Sequence, residues 1–181
     1  MRGFLQAFDD LTRQVHATGR AQEIGCGEGE LSLRLARAGW TVSGCDIASE
    51  AVQEARARAA SAGLAIPFRV LDIHDAAGEL ESADLVICCE VLEHLDDPIE
   101  ALRILASLSS RHVLVSVPRE PIWRCLNIAR GRYIADLGNT PGHVQHWSSK
   151  AFLAMLGEQL DVLAVRTPLP WTMALCRVRH D

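Results

Sequence analysis

The sequence predicts an α/β domain: a doubly wound, seven-stranded, mostly parallel sheet with an antiparallel last strand, in three αβα layers. Three observations carry this expectation. Short apolar runs alternate with helical patterns from residue 21 onward, and a glycine cluster separates the first run from the first of those helices. The final two runs follow each other with no helix between them. Alternating strands and helices imply a parallel sheet covered on both faces, and directly consecutive strands imply an antiparallel pair.

Length and composition set the frame. The 181 residues, 49% hydrophobic and 23% charged, suit one domain spanning 1–181. Such a domain buries roughly 70% of its unfolded surface. The net charge of −5 counts against a protein that coats nucleic acid through bulk charge. Asp9, Asp10 and Arg13 interrupt any apolar leader near the N-terminus, and no apolar stretch is long enough to span a bilayer. Association with a membrane surface stays open. The six cysteines form no C-x-x-C pair, and most lie in or beside apolar runs, so buried reduced thiols in a cytoplasmic setting are expected.

Taken in order, Phe4, Phe8, Leu11 and Val15 form one face of an amphipathic helix over 3–17, within an N-terminal segment of 1–20. It packs on the domain or covers a ligand. The first strand is Ala21–Ile24, weakened slightly by Gln22. Leu31, Leu35 and Ala38 follow at helical spacing, with Gly39 ending the helix. Thr41–Asp46 is the second strand, and Ser49 is placed to cap an alanine-rich helix that stops at Gly63. Ile66–Leu71 and Ala83–Cys89 are the third and fourth strands. Asp97, Pro98 and Glu100 compose a capping box opening the next helix. His112–Val117 is the fifth strand. Residues 119–147 lack a clean period and read as an insert capping the substrate. Ser148 caps a helix that turns Phe152, Met155 and Leu156 inward, and strands over 160–167 and 171–179 close the chain.

The segment Glu23-Ile24-Gly25-Cys26-Gly27-Glu28-Gly29 lies between a strand and a helix, at the mouth of the sheet. Glycines let the backbone turn tightly and approach a ligand. A dinucleotide loop has G-x-G-x-x-G spacing and presents N–H groups to a pyrophosphate. Here the spacing is G-x-G-x-G, and Glu23 and Glu28 are unfavourable beside a pyrophosphate but favourable beside a cation. S-adenosylmethionine, with its sulfonium and ammonium, fits better.

On these residues the chain resembles the class I S-adenosylmethionine-dependent methyltransferases, over roughly 20–180. The loop Glu23, Gly25, Cys26, Gly27 and Gly29 is similar to the family's first motif. The resemblance implies that Asp46, seventeen residues past Gly29, bonds both ribose hydroxyls and that Ile47 lies against the adenine. It also implies that Asp72 and Ile73 contact the adenine edge. Cys89, ending the fourth strand, is counted with the cofactor-binding residues. Read physically, a carboxylate at a strand's carboxyl end accepts from a diol or an exocyclic amine, or else caps a turn.

The segment Glu90-Val91-Leu92-Glu93-His94 resembles the E-V-L-E-H stretch of one branch of that family. Methyl transfer needs an aligned acceptor and, for a hydroxyl, removal of a proton, which suits His94 as general base with Glu90 beside it. On a helical turn, Glu90, Glu93 and His94 would share one face. With His143 or His146 they resemble the metal constellation of small-RNA 2′-O-methyltransferases and some quinone-precursor O-methyltransferases. Such a set suits Mg²⁺ or Mn²⁺. The remaining reading is a solvated turn.

In 119–150, Arg119, Arg124, Arg130, Arg132 and Lys150 stand against Glu120 and Asp136, a local +3, with Trp123, Tyr133 and Trp147 interleaved. Arginines with aromatics favour a flat or anionic acceptor. The expected activity is therefore methylation, at oxygen, of a small or medium organic acceptor, anionic or aromatic. The alternatives are a metal-dependent RNA 2′-O-methyltransferase, a nicotinamide-dependent oxidoreductase sharing the fold, and a catalytically silent cofactor-binding subunit.

Overall fold

The computed structural model describes residues 1–15 and 19–179. Helix α1 (Arg2–Thr12) is shorter than the 3–17 expected. Its chain turns after Thr12, though Val15 still reaches the core, and residues 16 and 17 lie outside the described residues. Strand β1 (Arg20–Ile24) leads through the glycine loop into α2 (Glu30–Arg37), and β2 (Thr41–Asp46) into α3 (Ser49–Ser61). Ser49 does not cap α3 as anticipated. It is the first helical residue, its hydroxyl bonds the Glu50 carboxylate, and Ala48 takes the cap position.

Strand β3 (Phe68–Val70) is half the length foreseen, and a 3₁₀ turn and the short α4 (Ala76–Glu79) follow it. Strand β4 (Ala83–Cys89) ends in a second 3₁₀ turn over Leu92–His94. Helix α5 (Pro98–Leu108) starts as anticipated, with the Asp97 carboxylate accepting from Glu100 N–H at 2.9 Å. The capping box is only half made, because the Glu100 carboxylate turns to Arg103. Strand β5 (Ser109–Pro118) leads to a helix the sequence concealed, α6 (Ile122–Ala129). Then come α7 (Ser149–Gln159), capped by Ser148, and the strands β6 (Leu160–Arg166) and β7 (Trp171–Val178).

The sheet order is β3-β2-β1-β4-β5-β7-β6. Strand β7 is inserted between β5 and β6 and runs antiparallel to both, while every other pairing is parallel. The order reverses between β1 and β4, so a crevice opens at the carboxyl ends of these two strands.

Alternation across the strands divides the core. Leu85, Ile87 and Cys89 face one side of the sheet with Phe8, Leu35 and Val52 from α1, α2 and α3. Val86 and Cys88 face the other with Leu102, Leu105, Phe152 and Leu156 from α5 and α7. A residue period of two thus feeds two helical layers, as the apolar run ADLVICC requires. All six cysteines are free, and only Cys125 is exposed. Among the described residues no helix is long and apolar enough to cross a membrane.

Candidate functional site

The crevice is a cavity of about 620 Å³ that takes in the glycine loop, the ends of β2 and β4, the turn after β3 and the start of α1. Its floor is built by backbone geometry. Gly25, Gly27 and Gly29 all hold positive φ (+73°, +50° and +78°), which a side chain would strain. A Cβ on Gly25 would meet Val91 Cγ2 at 2.2 Å, whereas one on Gly27 would meet no protein atom within 4 Å. Gly27 therefore leaves room for a ligand, and Gly25 leaves room for the turn after β4. The loop is fastened to β2, because Gly25 and Cys26 N–H both donate to Cys45 O, at 2.8 and 2.9 Å.

Asp46 is fastened from both sides. Its Oδ2 accepts from Gly27 N–H at 2.8 Å and its Oδ1 from Ala48 N–H at 2.9 Å. Each oxygen keeps a lone pair, so the carboxylate borders the cavity in a fixed orientation. Ile47 stands exposed at the rim. Asp72 caps the 3₁₀ turn, accepting from His74 N–H at 2.9 Å, and also borders the cavity. Ile73 and Cys89 are buried cavity residues, and burial drives the Cys89 thiol well above its usual range. Cys26 is likewise buried and its thiol raised.

The two acids of the loop part company. Glu28 is exposed and pairs with Arg58 at 3.4 Å while still bordering the cavity. Glu23 is buried at the cavity wall, with Ser32 Oγ–H donating to its Oε2 at 2.5 Å. Desolvation raises its pKa to about 8, the Ser32 bonds offsetting only part of that.

After β4 the backbone departs from the shared helical face anticipated for Glu90, Glu93 and His94. Glu90 holds φ +60°, ahead of the 3₁₀ turn, and its side chain swings toward β5 and β7. There Ser116 Oγ–H donates to Oε1 at 2.9 Å and Trp171 Nε1–H to Oε2 at 2.6 Å. Burial raises the Glu90 pKa to about 7 against these two bonds. Glu90 borders the cavity, but among the described residues the grouping suited to a metal is Glu93, His94 and His143 without it.

In that grouping one ligating atom from each side chain lies within 4.8 Å of the others. Glu93 is 1% exposed, and its Oε2 is buried with no hydrogen-bond partner. Burial first, and the Glu90 charge second, push its carboxyl well above the usual range. His143 packs edge-on against His94 (ring centroids 4.9 Å apart) and stacks on Trp123 at 5.9 Å. Burial and the neighbouring His94 and His146 lower its pKa to about 4, so it is neutral at pH 7. His94 Nδ1 lies 2.9 Å from Gly142 O. A carbonyl only accepts, so neutral His94 carries its hydrogen on Nδ1 and a lone pair on Nε2. His146 instead sits 3.6 Å from Glu120 Oε1, which resolves the choice between the two histidines in favour of His143 for this cluster.

Several residues escaped the sequence reading. Trp171 links Glu90 to Phe4 of α1 (5.2 Å, edge-on) and to Trp123 of α6 (5.8 Å). Ser116 and Ser32 each hold an acid. None carries a motif: Ser116 and Trp171 depend on strand register, which pairs Cys89 with Ser116 and Pro118 with Trp171, and Ser32 on how α2 packs against β1. Met1 and Phe4 border the cavity, so the N-terminal helix packs on the domain and covers the site as well.

A parallel sheet with a glycine loop, an acid ending β2 and a cavity at the switch point defines a Rossmann-like, nucleoside-cofactor-binding protein. Residues 22–110 match the family model described as a methyltransferase domain. The chain is 33% identical over 171 residues to the ubiquinone biosynthesis O-methyltransferase of Xanthomonas euvesicatoria pv. vesicatoria, covering 88% of this chain and 71% of that one. Against the enzyme of that name from Xanthomonas campestris pv. campestris it is 36% identical over 122 residues, covering 65% of this chain and 51% of that one. The fold matches magnesium protoporphyrin IX methyltransferase from Synechocystis PCC 6803 with bound S-adenosylhomocysteine, at TM-score 0.75 and 24% identity, over 98% of this chain and 84% of that one. It also matches a [4+2]-cyclase at TM-score 0.75 and 15% identity, over 97% and 82%, so the fold alone does not fix the chemistry. The chain belongs to the class I S-adenosylmethionine-dependent methyltransferases, and S-adenosylmethionine is its cofactor. The oxidoreductase alternative is set aside with that assignment.

Proposed function

We propose that the enzyme methylates an oxygen of a small or medium organic acceptor, anionic or aromatic, with His94 removing the proton. One observation carries the reading: the Nδ1 contact with Gly142 O leaves the Nε2 lone pair free on a residue that borders the cofactor cavity. The acceptor oxygen attacks the methyl carbon in line, the C–S bond breaks to release S-adenosylhomocysteine, and the hydroxyl proton passes to Nε2. In this reading Glu23 faces the cationic end of the cofactor, Asp46 takes the ribose diol, Ile47 covers the adenine face and Asp72 with Ile73 its edge. Oxygen methylation is also the activity named for the Xanthomonas relatives.

A second reading rests on the unpartnered Glu93 Oε2 beside two imidazoles. Glu93, His94 and His143 would then hold a divalent ion that lowers the acceptor hydroxyl's pKa, and His94 Nε2 would be a ligand rather than a base. Two nitrogens and one oxygen suit Mn²⁺ better than Mg²⁺. The cluster fits such an ion without Glu90, whose oxygens serve Ser116 and Trp171.

Transfer from radiolabelled S-adenosylmethionine to a panel of phenols, catechols, carboxylates and amines, with and without chelator, tests both. Turnover of hydroxyl acceptors that survives chelation removes the metal and leaves the metal-free reading, in which loss of turnover in His94→Ala identifies the base. Loss restored by Mn²⁺ establishes the metal, and amine-only turnover overturns the oxygen assignment.

A further inference from the structure

Glu23, next to last in β1, stands in the cavity wall at 3% exposure. Ser32 of α2 is its only hydrogen-bond partner among the described residues. The hydroxyl donates to Oε2 at 2.5 Å, and the Ser32 backbone N–H adds a smaller pull toward the charged form. The other charged groups facing Glu23 are acids, Asp46 from β2 and Glu30 from α2. Four thiols also face it, Cys26 in the loop, Cys45 on β2, and Cys88 and Cys89 on β4, and burial keeps all of them protonated. Arg58, the guanidinium bordering the cavity, is taken by Glu28 and Glu30.

The carboxyl is thus shut away from water and has no counter-ion. Its charged form is costly there, and a single donor residue does not offset the cost, so the neutral acid is the stable form while no cation is near. An ammonium arriving within hydrogen-bond reach reverses that balance, because it favours the carboxylate.

We infer that Glu23 trades a proton for the cofactor's ammonium: neutral in the free enzyme, it gives its proton to solvent as the cofactor binds and recovers one when the product leaves, with Ser32 setting how readily the trade occurs. The carboxyl O–H bond opens, the proton goes to water or buffer, and the ammonium N–H donates to the carboxylate left behind. This rests on the reading that Glu23 faces the cationic end of the cofactor. It goes beyond that reading, because a carboxylate charged from the start would bind the ammonium with no proton released. Protons therefore compete with the cofactor, and capture tightens as pH rises. Ser32 touches the ligand only through Glu23, so it is a positioning residue. The product S-adenosylhomocysteine keeps the ammonium and serves as the probe.

The test is calorimetric titration of the full chain with S-adenosylhomocysteine from pH 6 to 9, in phosphate and in imidazole, whose different ionisation enthalpies count the protons released. 5′-Methylthioadenosine, which lacks the ammonium, is the control ligand and shows that the adenosine half of the site is intact in each variant. Wild type should release about one proton at pH 7, and its affinity should rise about tenfold from pH 6 to 7 and level off past about pH 8. Glu23→Gln should release none through this group, so its curve should meet wild type's at low pH and fall at least tenfold below it at pH 8. Glu90 also borders the cavity, and any proton that it contributes persists in Glu23→Gln and is subtracted. Ser32→Ala should move the rise to higher pH, whereas a purely structural role would lower affinity equally at every pH. Glu23→Gln that weakens S-adenosylhomocysteine equally at every pH, with wild type releasing no proton, overturns the inference and leaves the contact standing. Glu23→Gln that binds S-adenosylhomocysteine as wild type does at every pH overturns the contact itself.

Discussion

Trp171 Nε1–H donates to Glu90 Oε2 across 2.6 Å, joining the last strand to the turn where the fourth strand enters the cavity. The same ring meets Phe4 of α1 and Trp123 of α6, so three segments distant in sequence converge on one indole. Replacing Trp171 with Phe keeps most of the ring and removes the donor. The Glu90 carboxyl then rises further above about 7, and the fold loses about 1–3 kcal/mol. A denaturant titration at pH 7 measures it, and an unchanged midpoint would mean that the bond contributes nothing.

Asp46→Ala should weaken S-adenosylhomocysteine binding by about 1–3 kcal/mol, since charge-assisted bonds are lost. It also frees Gly27 and Ala48 N–H, so the glycine loop loosens. Calorimetric titration reads the affinity, and equal affinity removes Asp46 from the site.

The first two glycines of the loop separate stability from binding. Gly25→Ala drives a methyl into Val91 and should cost about 2 kcal/mol or more in stability. Gly27→Ala meets no protein atom, so its melt should fall by only about 1 kcal/mol, from its left-handed φ. Its cofactor affinity should fall at least tenfold, about 1.4 kcal/mol, because the methyl fills ligand space. Thermal melts and titrations of both proteins decide this, and intact affinity in Gly27→Ala would place the cofactor elsewhere.

Glu23 makes the ligand-free protein pH-sensitive. Its folded pKa of about 8 lies above the ordinary 4.5 of a glutamate, so the folded state holds the proton more tightly. That contribution to stability is complete below about pH 4.5 and is lost as pH rises through about 8. Glu23→Gln abolishes the dependence, so it should gain on wild type by about 2–4 kcal/mol between pH 5 and 9. Denaturant midpoints across that range test it, and parallel curves would contradict it.

His94→Ala should abolish turnover while leaving S-adenosylhomocysteine affinity within about twofold, since the proton acceptor is gone and the loop is intact. A single-turnover assay checks it, and full activity would eliminate His94 as base and as metal ligand alike.

Much of this was legible in the chain because its signals are local. The glycine loop, Asp46 and the run Ala83–Cys89 carry their own geometry, and β2 and β4 have the bounds that the apolar runs imply. Helix α6 was hidden because an arginine, a cysteine and an asparagine blur its period. Its buried residue is polar Asn127, which serves the loop carbonyl of Gly138. The orientation of Glu90 was hidden for another reason. A left-handed residue at a strand end follows from the space between β5 and β7, which register decides and no short motif records.

The stitching of residues 93–96 to the segment 142–145 has a consequence for traffic. Glu93 O accepts from Val144 and Gln145 N–H, His94 Nδ1 donates to Gly142 O, and Gln145 Nε2 donates to Leu95 O and Asp96 O. Lifting that edge would break all five contacts together and drag His94 out of place. Helix α1 also borders the cavity, with Phe4 packed on Trp171, Met1 in the lining and Asp9 paired to Arg34 of α2 at 2.9 Å. The edge over residues 93–96 is a sewn seam, and molecules exchanging with the cavity are expected to pass elsewhere along its rim.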